Sequence, residues 1–181
     1  MEVKELGLSG LLLLTPRVFK DTRGSFMEPF NAAAFSSATG LETTFVQDNE
    51  SRSKAGVLRG LHLQVSPHAQ AKLVRVAYGA VLDVCLDCRP ESFTFGKHVS
   101  VRLDDSDLRM LYIPPGFAHG FTALMDNTVF QYKCSNYYAP QAERTILWND
   151  MGLNIDWGVT EPIVSDKDRA GKPFSQRPWE V

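Results

Sequence analysis

Turn-forming residues break this chain at short intervals, and that spacing constrains its fold more than any other feature. Gly24, Gly40, Gly56, Gly79, Gly96, Pro114-Pro115-Gly116, Asp126-Asn127 and Pro140 punctuate it. Between them lie short segments rich in Val, Phe, Tyr, Leu and Thr: Thr43 to Val46, Val57 to Gln64, Lys72 to Tyr78, Val81 to Leu86, His98 to Leu103, Leu111 to Ile113 and Thr128 to Cys134. Many short strands at such spacing predict an all-β sandwich or barrel. The expected form is a jelly-roll barrel, whose mouth is a natural small-molecule site. A helix is expected over 31–39, with Asn31 as N-cap and Gly40 just past its end, and a helical turn near 165–170. No repeat or linker interrupts the pattern, so residues 1–181 read as one domain.

Composition narrows the function classes. The chain is 44% apolar and 22% charged, ordinary for a globular protein with a real core. A net charge of −2 supplies no global field for nucleic acid or anionic lipid, so any anionic ligand must be held by a local cluster. The longest apolar run, Leu11 to Leu14, is too short to span a bilayer, and no signal-peptide pattern precedes it. A cytoplasmic location is the expectation. Cys85 and Cys88 match C-x-x-C, but they fall in or just after a strand pattern, where an odd spacing sends side chains to opposite faces. With Cys134 they read as reduced structural thiols.

Two blocks concentrate chemistry. Gly56 to Gln64, followed by Gln70 to Arg75, puts an arginine, an imidazole, amides and a lysine within a hairpin's length. Tyr112 to Phe121 adds His119 beside a rigid turn. A lone strand histidine is more often a satisfied structural residue than a catalyst, but Arg59, Gln64 and Lys72 bring more polar function than a core face needs. A neutral imidazole at His62 suits a general base. Strict alternation would face Arg59 and His62 oppositely, and Gly60 between them offers a place for a bulge that re-aims one of them.

Other residues carry two readings each. Phe130, Tyr132 and Cys134 share a strand face, so Tyr132 is either core with its hydroxyl satisfied or a general acid at the cavity mouth. Arg23 beside Phe26 and Glu28, in a turn feeding a strand whose Phe26, Glu28 and Phe30 share a face, is either solvated or a phosphate-binding and stacking element. Ser165-Asp166-Lys167-Asp168 is either a helix cap or the source of a carboxylate that orients a histidine. His62, His119 and Glu143 could form a two-histidine, one-carboxylate metal site, although the chain has no H-x-H pair. His68 and His98 receive no role.

Together these motifs make the chain resemble the dTDP-4-dehydrorhamnose 3,5-epimerase family of nucleotide-sugar enzymes. The resemblance runs from Pro16-Arg17-Val18-Phe19 to Ser165-Asp166-Lys167-Asp168. It rests on Asp21-x-Arg23-Gly24-x-Phe26-x-Glu28, Phe45-Val46-Gln47-Asp48-Asn49, Val57-Leu58-Arg59-Gly60-Leu61-His62, Lys72-Leu73-Val74-Arg75, Pro115 to Phe121, and Trp148-Asn149-Asp150. It implies a metal-free, cofactor-free jelly-roll epimerase working as a homodimer. The family's base falls on His62 with Asp168 as partner, its acid on Tyr132, and the lysine near the substrate ketone on Lys72. Nucleotide and pyrophosphate contacts fall on Arg23, Glu28, Gln47, Asn49, Arg59, His119, Glu143 and Lys167. Phe26 and Tyr138 would sandwich the thymine, with Phe26 supplied by the neighbouring subunit. Leu63 departs from the family, which often carries an aromatic residue there, and the departure is expected to alter the cavity wall.

The implied chemistry suits the inventory. Hydrogens flanking a C4 ketone are weakly acidic, so their removal needs a positioned base and a charge to hold the enolate oxygen. Inversion then needs a proton from the other ring face. The reading is inversion at C3 and C5 of a dTDP-4-keto-6-deoxyhexose. Alternatives are inversion at C3 only, a metal-dependent cupin enzyme, or a non-catalytic sugar-binding jelly roll. A mere binder has no need of His62, Lys72 and Tyr132 together.

Overall fold

The computed structural model describes residues 1–179. In chain order the strands are β1 (Glu2–Glu5), β2 (Leu12–Thr15), β3 (Val18–Asp21), β4 (Gly24–Met27), β5 (Gln47–Ser53), β6 (Val57–Gln64), β7 (Lys72–Tyr78), β8 (Ala80–Asp87), β9 (His98–Asp104), β10 (Met110–Ile113), β11 (Phe117–Ala123), β12 (Thr128–Cys134), β13 (Glu143–Thr145) and β14 (Ile163–Val164). Helix α1 (Ala32–Thr39) follows β4, and the single-turn α2 (Asp166–Arg169) follows β14. One sheet runs β1-β2-β10-β7-β12-β5 and the other β13-β6-β11-β8-β9, with β14 joining the edge of β6. The jelly-roll expectation holds.

Burial explains where each strand pattern comes from. The space between the sheets is filled by Val74, Val76, Val81, Leu111, Phe121, Phe130 and their neighbours. A second cluster lies outside the β6-β11-β8 sheet, where Leu58, Leu61, Leu86 and Ile146 meet Trp157 and Trp179. A third sits outside the other sheet, where Phe35 of α1 covers Leu14, Leu73, Met110 and Tyr112. Strand β11, covered on both faces, is buried at every residue, His119 and Thr122 included. Each fully buried Leu or Phe contributes about 1.5–3 kcal/mol relative to exposure.

Both expected helical pieces form. Asn31 caps α1 by accepting from the Ala34 amide, and Gly40 closes it in the left-handed region at φ 71°. Cys85 and Cys88 are buried and free, and they belong to the inner and outer core clusters respectively, on opposite faces as expected. Burial pushes the Cys88 thiol up to about 12.

Two strand expectations fail. Residues 43–46 form no strand; the strand begins at Gln47, where the sequence turns polar. The segment from Phe26 to Phe30 is not one strand either, because β4 ends at Met27 and Phe30 turns away to pack on Phe35 and Phe45. Strands β3 and β4 instead form a separate hairpin paired only with each other among the described residues. Phe26 on that hairpin is 65% exposed.

Candidate active site

The barrel interior is apolar at one end and polar at the other. At the polar end a cavity of about 780 Å³ opens between the sheets. Its walls hold Gln47, Asn49, Arg59, His62, Lys72, His119, Tyr132, Tyr138, Glu143, Lys167 and Asp168, and its floor is Phe121 and Phe130. Every expected site residue is therefore brought to one cavity except Arg23, Phe26 and Glu28. Those lie on or just after the β3-β4 hairpin, where Arg23 pairs with Asp21 and Glu28 accepts a hydrogen bond from Asn31.

The conflict between Arg59 and His62 is resolved by a bulge at Gly60. His62 lies opposite His119 and Arg59 opposite Phe121, so β6 spends three steps where β11 spends two. The extra residue returns both side chains to the cavity face. Gly60 sits at φ 127°, and a Cβ there would lie 2.5 Å from the Gly120 Cα, so no other residue fits the bulge.

His62 Nε2 donates to Asp168 Oδ1 across 2.5 Å. Asp168 is brought there by α2, whose N-cap Ser165 accepts from the Asp168 amide and donates to its Oδ2 (2.8 Å). Burial pushes the Asp168 carboxyl up, but hydrogen bonds from His62 and Ser165 outweigh it and hold the carboxyl below its ordinary value. Burial lowers the Lys72 ammonium, an effect that nearby Cys134, Cys85, Asp83 and Glu143 partly oppose. Burial also raises the Tyr132 hydroxyl, keeping it protonated.

At the mouth, Glu143 gathers two groups. Lys167 Nζ donates to its Oε2 across 2.5 Å and Tyr138 Oη donates to the same atom across 2.9 Å. Tyr138 is held by a loop that Gln64 pins, donating to the His68 and Tyr137 carbonyls and accepting from the Ala139 amide. Leu63 borders the cavity while packing into the outer core cluster. No three His, Cys, Asp or Glu side chains gather as a metal-ligand set among the described residues.

One carboxylate escaped the sequence reading. Asp83, fully buried on β8, accepts from His119 Nε2 at 2.8 Å. Its signal was a lone acid inside the apolar run Val81 to Leu86.

Residues 5–176 match the family model described as dTDP-4-dehydrorhamnose 3,5-epimerase. The dTDP-4-dehydrorhamnose 3,5-epimerase of Shigella flexneri is 50% identical over 96% of both chains. The crystal structure of such an epimerase from Elizabethkingia anophelis superposes with a TM-score of 0.94 at 44% identity, covering 98% of each chain. A dTDP-6-deoxy-D-glucose-3,5-epimerase from Legionella pneumophila, solved with dTDP-4-keto-L-rhamnose, superposes at 0.92 with 42% identity, covering 96% of this chain and 93% of that one.

Proposed function

This chain belongs to the dTDP-4-dehydrorhamnose 3,5-epimerase family of isomerases, and from the cavity it carries we infer that it inverts C3 and C5 of dTDP-4-keto-6-deoxyglucose. The observation that carries this reading is the convergence of the His62–Asp168 pair, Lys72 and Tyr132 on one cavity.

With Nε2 committed to Asp168, His62 Nδ1 is the nitrogen left to take a proton from carbon beside the ketone. The electron pair of that C–H bond moves into an enolate whose oxygen lies against the Lys72 ammonium. In a partly dehydrated cavity such a charge can lower the barrier by about 3–4 kcal/mol. Tyr132 then donates its hydroxyl proton to the other face of the carbon. His62 releases its proton to solvent and Tyr132 regains one, so the cycle closes with no net redox change. Repetition at the second flanking carbon gives the doubly inverted product.

Arg59 and Lys167 supply donors for the phosphates, His119 borders the sugar end of the cavity, and Gln47, Asn49, Glu143 and Tyr138 face the nucleotide. The thymine sandwich needs a second aromatic ring and a further cation, which the isolated β3-β4 hairpin offers as Phe26 and Arg23. We therefore read the working unit as a homodimer in which each hairpin, with Glu28 beside it, completes the partner's site. An unpaired, aromatic-bearing hairpin is the kind of surface that pairs with another chain. No helix among the described residues is long and apolar enough to cross a membrane, and buried free thiols suit a reducing compartment such as the cytoplasm.

The deciding experiment is incubation with dTDP-4-keto-6-deoxyglucose in deuterated water, with NMR at C3 and C5. Deuterium at both carbons together with the inverted product is expected; no incorporation at either carbon would overturn the reading. For the assembly, refolding an Arg23→Ala protein with a His62→Ala protein should restore one competent site per mixed dimer. A monomer by light scattering, or no recovered activity, would refute the shared site.

A further inference from the structure

The cavity holds a second imidazole–carboxylate pair that the epimerisation steps above leave unused. His119 lies directly across the β6-β11 ladder from His62 and is 7% exposed. Its ring stacks near Phe130, with centroids 6.1 Å apart and planes 22° apart. Its Nε2 meets Asp83 Oδ2 at 2.8 Å, and the other oxygen of that carboxylate accepts a weak hydrogen bond from the Cys85 thiol at 3.7 Å. A carboxylate inside an apolar barrel is costly to bury, and a well-packed apolar residue would serve stability as well or better. Structure alone gives little reason for it.

Resting on the epimerase reading, we propose that Asp83 is a positioning residue: it holds His119 as the Nε2–H tautomer, so that Nδ1 presents a lone pair to a hydroxyl of the hexose lying against His62. An ionised carboxylate only accepts hydrogen bonds, so the ring nitrogen facing it must carry the proton. The other nitrogen of a neutral ring is then an acceptor, and a sugar hydroxyl is the donor that such a nitrogen recognises. His119 is nearly buried and borders the cavity floor at Phe121 and Phe130, on the same ladder as the proposed base. This depth sets it against the sugar rather than the nucleotide. Fixing the ring by one carboxylate and one aromatic neighbour makes the hydroxyl's position rigid, and with it the angle at which the flanking C–H bonds meet His62.

The test uses the full chain, labelled with ¹⁵N at histidine, and two probes that need no turnover: dTDP, which lacks a sugar, and dTDP-glucose, which carries a hexose without the ketone. In the unmodified protein at neutral pH, the His119 signals, assigned by their loss in His119→Gln, should show a protonated Nε2 and a bare Nδ1. Adding dTDP-glucose should shift the Nδ1 resonance, whereas dTDP should not. In Asp83→Asn the tautomer should become mixed, with dTDP bound within about twofold of the original and dTDP-glucose about tenfold more weakly, the loss of one oriented hydrogen bond. A proton on Nδ1 in the unmodified protein, or equal responses to dTDP and dTDP-glucose, would overturn the proposal even if Asp83→Asn fails to fold. Failure of the epimerase reading would appear separately, as absence of deuterium incorporation by the unmodified enzyme.

Discussion

The two imidazole–carboxylate pairs of this cavity differ in where their acids come from. Asp83 and His119 sit on adjacent strands of one sheet, and their pairing is as permanent as the barrel itself. Asp168 comes from a single-turn helix more than a hundred residues away in sequence from His62, docked over the edge of β6. Both carboxylates are buried, but Asp168 serves a histidine whose side chain is 25% exposed, whereas the histidine beside Asp83 is 7% exposed. On the proposed mechanism, the difference separates two tasks. A ring that must move protons to and from solvent is placed at the accessible edge and oriented by a locally held group. A ring that must stay still is locked into the sheet.

Removing the mobile-proton ring should have the largest effect. His62→Ala is expected to cut turnover by about a thousandfold or more and to abolish deuterium incorporation at both carbons, while dTDP affinity measured by calorimetry stays within a few-fold. Retained incorporation would remove His62 from the chemistry and erase the distinction between the pairs. Next comes a stability contrast. Asp83→Ala should destabilise the fold by about 3 kcal/mol, the cost of breaking a buried pair, and Asp168→Ala by less, because the His62 it leaves behind is partly exposed and can be hydrated. Denaturant midpoints of the two variants measure this, and equal losses would mean that both pairs are structural.

Tyr132→Phe should slow net inversion by about a hundredfold while deuterium still enters, as the proposed division of proton removal to His62 and delivery to Tyr132 requires. Equal loss of both would break that division. Asp168→Asn should cost about tenfold to fiftyfold in turnover, less than loss of the base, because it disturbs the ring's orientation rather than deleting it. Its pH signature follows from the depressed carboxyl of Asp168. The stabilisation is present above the unfolded value of about 3.9 and is lost as pH falls through the lower folded value. Asp168→Asn should therefore flatten the acid side of the stability curve. The smallest effect is expected for Ser165→Ala, which removes the cap of α2 and a hydrogen bond to Asp168. A local loss of about 1 kcal/mol should lower turnover a few-fold and leave the melting temperature nearly unchanged.

The same contrast explains what could be read from the chain. Asp168 was visible because its motif accompanies the family pattern, whereas Asp83 sits in no motif and finds its partner only across β8 and β11. Strands β7 and β12 were legible to the residue, since apolar residues alternate or run where a core receives them. Strand β5 was not. Its inward positions are Gln47, Asn49, Ser51 and Ser53, polar because part of that face lines the cavity, so the usual apolar alternation is absent where the site needs a strand.

By itself the sequence determined the all-β architecture and the capped helix, because turn chemistry and strand periodicity are local properties, while the candidate site residues came from motifs shared with the family. The tertiary structure decided the rest. It turned Arg59 and His62 to one face through the bulge at Gly60, where Gly120 leaves no room for a side chain. It joined His119 to Asp83, and it left the β3-β4 hairpin outside the barrel. Each of these depends on which strands become neighbours and in what register, and register is set by the packing of the whole barrel rather than by any one segment.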